Sequence, residues 1–388
     1  AEFDEIRPYD TGEVQQAFNE LLADRQFSTM LRGIVPWLPK SLRNAVLKMA
    51  FIGVKSPLDF QKRFIKPIVG HIKRKHTDGC TFDDNCLPRD FSLRYTFVSN
   101  HRDIVLDSAL LDVMLVKTGY PTTVEIGIGD NLLIYPWIKR LVRMNKAFTV
   151  RRGLTPKEML RSSQIMSRYI HYAVTQKHEN IWIAQREGRA KDGIDTTEQG
   201  LLKMLDMSGT KDFTSNFEEL NIVPLSISYE YEPCDILKAR ELLISRTQKY
   251  VKGPQEDLIS IITGIRQVKG NIHLNIGEPL THDEIQAAST CMKNDRYQAI
   301  RHAVDLRVIE GYKLWKTNYI SYDMVNHSYK YSDLYSHEDV EAFTEYVEKQ
   351  LDKVEKSLCR ADLRDILLRI YGNPVVSREK LMEERKNK

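Results

Sequence analysis

The chain of 388 residues is long enough for one large core with extensions or for two modest domains. Its 42% hydrophobic and 28% charged residues are typical of a soluble globular protein. The formal charge of +4, from 57 Lys and Arg residues against 53 Asp and Glu residues, is too small to indicate nucleic-acid binding by itself. No apolar run reaches the roughly 18 residues that a transmembrane helix needs.

Five cysteines are scattered along the chain at Cys80, Cys86, Cys234, Cys291 and Cys359. Their odd number and irregular spacing fit neither a disulfide framework nor a zinc-binding pattern. We therefore expect free thiols in a reducing cytoplasm and no bound metal.

The first region, residues 1–90, is predicted to be mainly helical. Thr11 is the expected N-cap of a first helix. The apolar side chains of that helix share one face and are Val14, Phe18, Leu21 and Leu22. A second helix is expected from Ser41, after the segment 30–39, which contains Trp37. Residues 76–90 are expected to be irregular.

Two interpretations of the second helix stay open. Its apolar residues recur at helical spacing and its other faces are basic, which suits a membrane surface, but it could equally pack on the core. The same two interpretations apply to residues 132–143, an apolar and basic run with the aromatic pair Tyr135 and Trp137. Each Lys or Arg near an anionic membrane contributes about 1 kcal/mol, so a handful would hold the protein peripherally at the inner, cytoplasmic face.

From residue 91 the pattern changes to alternating strands and helices. Strands are expected at 95–99, 122–128, 147–151, 180–184, 222–229 and 270–276. Helices are expected at 108–117, 155–175 and 198–205. Thr155 is the expected N-cap of the second of these helices, with Pro156 first in the helix and Glu158 completing a capping box. This alternation predicts an α/β fold with a mainly parallel mixed sheet flanked by helices.

After residue 281 the chain is predicted to be helical and highly charged. Apolar residues recur there at spacings of three and four, at Val340, Phe343, Val347, Leu351 and Val354. Because so few heptads are present, a helix that packs within the protein is expected rather than a dimer zipper. The chain therefore divides into a helical region 1–90, an α/β domain 91–280 and a helical extension 281–388.

The strand at 95–99 ends at the polar pair Asn100 and His101, and Asp107 follows six residues after the histidine. An imidazole at a strand end with a carboxylate about one turn further on is a suitable arrangement for an oriented general base. Asp103 is a competing acid for that role. A simple turn without chemistry is the other alternative.

This motif resembles the first motif of the glycerolipid acyltransferases, the family of glycerol-3-phosphate and 1-acylglycerol-3-phosphate acyltransferases. Here one extra residue separates the histidine from the aspartate. Three blocks similar to later family motifs follow in the family's order: NKAFTVR at 145–151, QREGR at 185–189 and IVPLSI at 222–227. The third motif lacks the residue that usually separates its glycine from its arginine. The resemblance extends over residues 91–280.

The resemblance implies that His101 is the general base and Asp107 the acid that orients it. It also implies substrate-binding roles for residues of the four blocks, namely Asn100, Phe148, Arg151, Glu187, Gly188, Arg189 and Pro224. Arginine suits this role because its planar fork meets two phosphate or carboxylate oxygens at once. Arg152 and Arg186 have no counterpart in the motifs, and ion pairs with nearby acids are the alternative for all four arginines.

The implied activity is transfer of a fatty acyl chain from acyl-CoA or acyl carrier protein to a hydroxyl group. The implied acceptor is glycerol-3-phosphate, lysophosphatidate or a related lipid precursor, and the membrane surface is an implied partner. No cofactor beyond the acyl donor and no nucleic-acid partner are expected. The alternative is an acyltransferase-like scaffold that binds lipid or acyl carrier without turnover, because two motif spacings differ by one residue from the family pattern.

Overall fold

The computed structural model describes residues 2–34, 37, 39–208, 212–253 and 255–387. Its seven strands are β1 (Gly79–Asp83), β2 (Thr96–Ser99), β3 (Val124–Gly129), β4 (Ala147–Val150), β5 (Asn180–Ala184), β6 (Ile222–Tyr229) and β7 (Asn271–Ile276). They form a single sheet in the order β1-β7-β6-β2-β5-β3-β4.

The sheet is mainly parallel. Strands β6, β2, β5, β3 and β4 run in one direction, whereas β7 pairs antiparallel with β6 and parallel with β1. The prediction of a mainly parallel mixed sheet flanked by helices is confirmed. The carboxyl ends of the five parallel strands meet at one edge, which is where α/β sheets most often bind ligands.

Helices precede, flank and follow the sheet. Before β2 they are α1 (Val14–Ala23), α2 (Arg25–Ile34), α3 (Lys40–Phe51), α4 (Pro57–Phe60) and α5 (Lys66–His76). Between β2 and β7 they are α6 (Leu106–Lys117), α7 (Pro136–Met144), α8 (Pro156–Thr175), α9 (Gln199–Leu205), α10 (Phe213–Leu220), α11 (Asp235–Ser245) and α12 (Glu256–Arg266). After β7 they are α13 (His282–Ser289), α14 (Asp295–Gly311), α15 (Lys316–Asn326), α16 (His337–Leu351) and α17 (Arg360–Lys386).

Both faces of the sheet are covered by apolar cores. On one face, Phe97 and Trp182 pack with α6, and on the other, Phe148 and Ile183 pack with α8. All eight residues of β6 are buried. Because these strands are buried on both sides, their sequences are nearly continuous apolar runs rather than alternating ones.

Several sequence predictions hold at single-residue precision, and others are wrong. Thr155 caps α8 with the expected capping box. Thr11 is not an N-cap, because it begins a 3-10 turn (Thr11–Glu13) that leads into α1 and whose N-cap is Asp10. The Asp10 backbone N–H donates to Glu13 Oε2 at 2.7 Å. Residues 76–90 are not wholly irregular, because β1 forms there by pairing with β7, a strand almost 200 residues away.

The C-terminal helices form their own core against α11. Phe343, Val347 and Leu351 of α16 are buried beside Tyr371 of α17, so α16 packs within the protein as expected. Of the segment 30–39, residues Val35, Pro36 and Leu38 lie outside the described residues. No helix in the described ranges is both long and apolar enough to cross a membrane.

Candidate active site

His101 and Asp107 meet at the carboxyl end of β2. The His101 Nδ1 atom lies 2.8 Å from Asp107 Oδ2, so the five intervening residues do not keep the two side chains apart. The backbone N–H groups of Arg102 and Asp103 donate to the same oxygen at 2.6 and 2.9 Å. Asp107 is buried in the first turn of α6. The loop is therefore folded around this carboxylate.

Asp103, the competing acid, has a different set of contacts. Its Oδ1 atom accepts the N–H groups of Val105 and Leu106, both at 2.8 Å, and so caps the start of α6. Of the two candidate acids, Asp107 is the one in contact with His101.

The Asn100 side chain continues the pairing of β2 with β6 beyond the end of β2. Its Oδ1 atom accepts from Ile227 N at 2.8 Å, and its Nδ2 atom donates to Ile227 O at 3.0 Å. The same Nδ2 atom donates to Asp195 at 3.0 Å. Asn100 is fully buried, so its side-chain contacts are with protein and fix the position of the loop that carries His101.

Arg102 anchors this loop to two other parts of the chain. Its fully buried guanidinium donates to Asp195 Oδ2 at 2.5 Å and to Gly193 O at 3.3 Å, both in the loop between β5 and α9. The guanidinium also lies 5.1 Å from the ring centre of Tyr312, directly after α14. Sequence analysis assigned no role to this residue, although its position next to His101 was visible.

The exposed edge of His101 faces a cavity of about 220 Å³. The His101 side chain is 15% exposed, and its Nδ1 atom is used by Asp107, so Nε2 remains for a ligand. The Trp182 indole packs edge-to-face against the imidazole at 5.4 Å. The basic side chains that line the cavity are Arg152, Arg186, Arg189, Lys191 and Lys252.

Two of the cavity arginines have no carboxylate partner in the described part of the chain. Arg186 Nε and Arg189 Nη1 are buried atoms without a hydrogen-bond partner there. Arg152 Nε is also a buried atom without a hydrogen-bond partner there, but the Arg152 guanidinium pairs with Glu187, and Lys252 pairs with Asp257 at 2.7 Å. A buried cationic donor that lacks a partner is costly, so Arg186 and Arg189, which also lack a carboxylate partner among the described residues, are the groups best prepared to receive an anion.

A second, more apolar groove adjoins the cavity. The two share Gly127, Ala184, Arg186 and the Arg152–Glu187 ion pair. Its apolar lining residues include Leu154, Met159, Met166, Leu201 and Met204. The arrangement combines a histidine, unpaired cations and a neighbouring apolar channel.

The other predicted site residues have different positions. Arg151 lines the apolar groove rather than the His101 cavity and pairs with Glu5. Phe148 is fully buried in the core between the sheet and α8, and Pro224 is buried within β6. Gly188 lines the cavity with a φ of +74°, a conformation that favours glycine.

Tyr229 is a residue of the site that sequence analysis did not identify. Its hydroxyl group donates to Asp107 Oδ1 at 2.7 Å across 122 residues of sequence. Burial, and then the charge of Asp107, raises the pKa of Tyr229 well above its usual value. No spacing rule links the two residues, because only the sheet brings them together. Within the described ranges, no group of three or more His, Cys, Asp or Glu side chains is arranged to hold a metal ion.

Comparison with known proteins gives a distant structural likeness. No protein-family model matches the chain, and no curated protein matches it in sequence. Among solved structures, the chain is similar to the 1-acyl-sn-glycerophosphate (LPA) acyltransferase PlsC from Thermotoga maritima. The identity is 15% and the TM-score 0.39, over 69% of this chain and 87% of that chain. A likeness this distant carries no argument about activity, so the proposal below rests on the geometry of the site.

Proposed function

We propose that this protein is an O-acyltransferase that moves a fatty acyl chain from a thioester to a hydroxyl group. The donor is acyl-CoA or acyl carrier protein, and the acceptor is glycerol-3-phosphate, lysophosphatidate or a related lipid precursor. The observation that carries the proposal is the His101–Asp107 pair, whose free imidazole edge faces a cavity with unpaired arginines.

The residues support a direct transfer without a covalent enzyme intermediate. His101 Nε2 removes the proton from the acceptor hydroxyl as that oxygen attacks the thioester carbonyl carbon. The tetrahedral intermediate then breaks its C–S bond, and the imidazolium returns the proton to the departing thiolate. Asp107 keeps the Nδ1–H tautomer of the ring and stabilises the imidazolium. Thiolate is a good leaving group, so a single base is sufficient.

The arginines and the groove supply binding. Arg186 and Arg189 hold the phosphate or carboxylate of the acceptor, since two-point contacts to such oxygens are what a guanidinium makes best. The apolar groove beside them receives the acyl chain, whose burial contributes about 0.8 kcal/mol per methylene. Arg151 and Glu187 border the same groove, and Arg152 is paired with Glu187 between the two spaces.

We also propose that the protein works peripherally at the inner face of a membrane. The apolar side chains of α3 support this, because Leu42, Val46 and Met49 are 48, 51 and 68% exposed. By contrast, Trp137 and Leu141 of α7, the second candidate for membrane contact, pack against the N-terminal helices.

The function is tested by measuring thiol release from long-chain acyl-CoA and, separately, from acyl carrier protein. Each donor is assayed with glycerol-3-phosphate, with a lysophospholipid and with no acceptor. Acceptor-dependent release is expected from wild type, and His101→Ala is expected to lower it by at least about 10²–10⁴-fold. His302→Ala, an exposed histidine of α14, is the matched control and should retain wild-type activity.

The outcome that contradicts the proposal is equally specific. If His101→Ala releases thiol as fast as wild type with every donor and acceptor, His101 is not the base. If wild type releases none but still binds acyl carrier or liposomes, the protein is a binding scaffold rather than an enzyme.

A further inference from the structure

Among the described residues, Tyr229 makes the one hydrogen bond to Asp107 that does not come from the His101 loop. Asp107 Oδ2 accepts three donors, from His101, Arg102 and Asp103. Oδ1 has a single donor among the described residues, the Tyr229 hydroxyl at 2.7 Å. Both side chains are 1% exposed, so water does not replace this contact if it is lost.

The register of the sheet explains why Tyr229 reaches the site. Ser99, the last residue of β2, pairs with Leu225 of β6, and β6 continues for four further residues to Tyr229. At about 3.3 Å per residue, β6 overhangs the end of β2 by about 13 Å. Asn100 binds to Ile227 within this overhang. Tyr229 follows two residues later, so it shares the face of Ile227, towards α6.

The hydroxyl of Tyr229 remains a donor throughout the pH range of an enzyme assay. Burial is the main cause of its raised pKa, and the negative charges of Asp107, Asp103 and Glu232 add to it. Two lysines near these acids have hydrogen-bond acceptors other than Asp107. Lys238 donates to Glu232 at 2.6 Å, and Lys269 donates to the Gln267 carbonyl at 2.7 Å.

We propose that Tyr229 is a positioning residue for the His101–Asp107 pair. By holding Oδ1, it fixes the rotation of the Asp107 carboxylate and withdraws part of the negative charge that Asp107 directs at His101. The inference rests on the proposed function, because it takes His101 as the base. Tyr229 itself is buried and does not line the cavity.

The kinetic test is Tyr229→Phe, which removes the hydroxyl and keeps the ring. Loss of a hydrogen bond to a charged group should lower kcat about tenfold. KM for both substrates should stay within about twofold of the wild-type value. The acidic limb of the pH–rate profile is expected to move to higher pH, since the carboxylate then attracts the imidazolium more strongly. Tyr169→Phe is the matched control: Tyr169 is also fully buried and donates to a buried carboxylate, Glu125, near the opposite ends of the strands.

A second readout does not depend on turnover. The chain has ten histidines, and with ¹³C-labelled histidine the ring signal of His101 is assigned by its absence in His101→Ala. In Tyr229→Phe the midpoint of that signal's pH titration should move upward by about 0.5 unit, a threefold change in proton affinity. In Tyr169→Phe it should not move. If the wild-type protein shows no acyl transfer, the proposed function is wrong. The titration still tests whether Tyr229 acts on His101 through Asp107.

A third variant tests the inference if the Tyr229→Phe protein does not fold. Site-specific 3-fluorotyrosine at position 229 keeps the hydroxyl and makes it a stronger donor. It should shift the His101 midpoint and the acidic limb in the opposite direction, to lower pH. If Tyr229→Phe, or the fluorinated protein where the former does not fold, matches Tyr169→Phe in kcat and in the midpoint, the inference is overturned.

Discussion

Buried carboxylates in this protein differ in what surrounds them, and their sequence neighbours do not reveal the difference. Asp103 caps α6, whereas Asp107, four residues later, holds His101. Asp112, on the same helix, is buried next to the Gln61 amide and accepts the Val124 N–H at 3.1 Å. Desolvation raises the pKa of Asp112 from 3.8 to about 7. In such surroundings a carboxyl group stays protonated at pH values at which an exposed carboxyl group is ionised.

At the residue scale, Asp112 should make the protein less stable as the pH rises. Between about pH 4 and pH 7 the unfolded chain releases a proton that the folded chain retains, so the free energy of unfolding falls over this window. A shift of about three units corresponds to about 4 kcal/mol. Asp112→Asn cannot release that proton. Its free energy of unfolding relative to wild type should therefore rise by about 2–4 kcal/mol across the window.

Urea denaturation at the two ends of the window measures this difference. The control is Asp212→Asn, because backbone N–H groups of α10 lower the pKa of that exposed carboxyl and it is ionised throughout the window. An Asp112→Asn protein whose stability follows that of wild type at every pH would show that Asp112 is charged in the folded state.

At the element scale, α3 packs Phe51 and Leu47 on the N-terminal core but has a row of apolar side chains that the described residues leave uncovered. Its buried residues are Arg43 and Phe51, while Leu42, Val46 and Met49 are exposed. A soluble helix normally buries its apolar side and exposes its basic residues. Contiguous exposed apolar side chains of this kind mark an interaction surface.

The double substitution Val46→Glu and Met49→Glu should weaken binding to anionic lipid vesicles. Removing two large apolar contacts and adding two negative charges should lower the partition coefficient by at least about tenfold. Vesicle flotation with phosphatidylglycerol-containing liposomes measures it. Met292→Glu is the control, because Met292 is 82% exposed and lies between α13 and α14. Equal flotation of the double variant and the control would rule out α3 as the membrane contact.

At the scale of the whole molecule, the C-terminal extension contacts a loop that lines the candidate site. The loop between β5 and α9 carries Arg189 and donates from Ala190 N to His101 O at 2.8 Å. Asn373 of α17 donates to Asp192 O in the same loop at 2.7 Å. Gly193 contacts Ile370 so closely that an added Cβ would lie 2.1 Å from its carbonyl oxygen. Helix α17 of the extension is thus in direct contact with the loop that carries Arg189.

Gly193→Ala should therefore destabilise the protein more than a glycine substitution that causes backbone strain alone. Gly119→Ala is the matched control: its φ of +81° is close to the +78° of Gly193, but nothing lies within 4 Å of its added Cβ. We expect a loss of about 1–2 kcal/mol for Gly119→Ala from strain and about 2–4 kcal/mol for Gly193→Ala from strain and overpacking. Thermal and urea unfolding measure the loss of stability in both variants. Equal losses would show that α17 moves away from the added methyl group without a cost in stability.

Local patterns allowed much of the fold to be predicted. The bounds of β5 and β6 and the capping box of α8 depend on short-range signals, and they match the structure. Elements that exist through distant partners were missed. The sequence GCTFD of β1 has weak strand character and forms a strand at the sheet edge against β7, and α11 is stabilised by the C-terminal core.

The sequence by itself determined the alternation of strands and helices, the order of the motifs and the candidacy of His101, because these depend on residue types at short spacing. Only the tertiary structure decided which acid contacts His101, which arginines share its cavity and that Tyr229 reaches Asp107. Strand register and the packing of distant helices set those contacts. Neither is encoded in the spacing of any single segment, so they follow only from the folded chain.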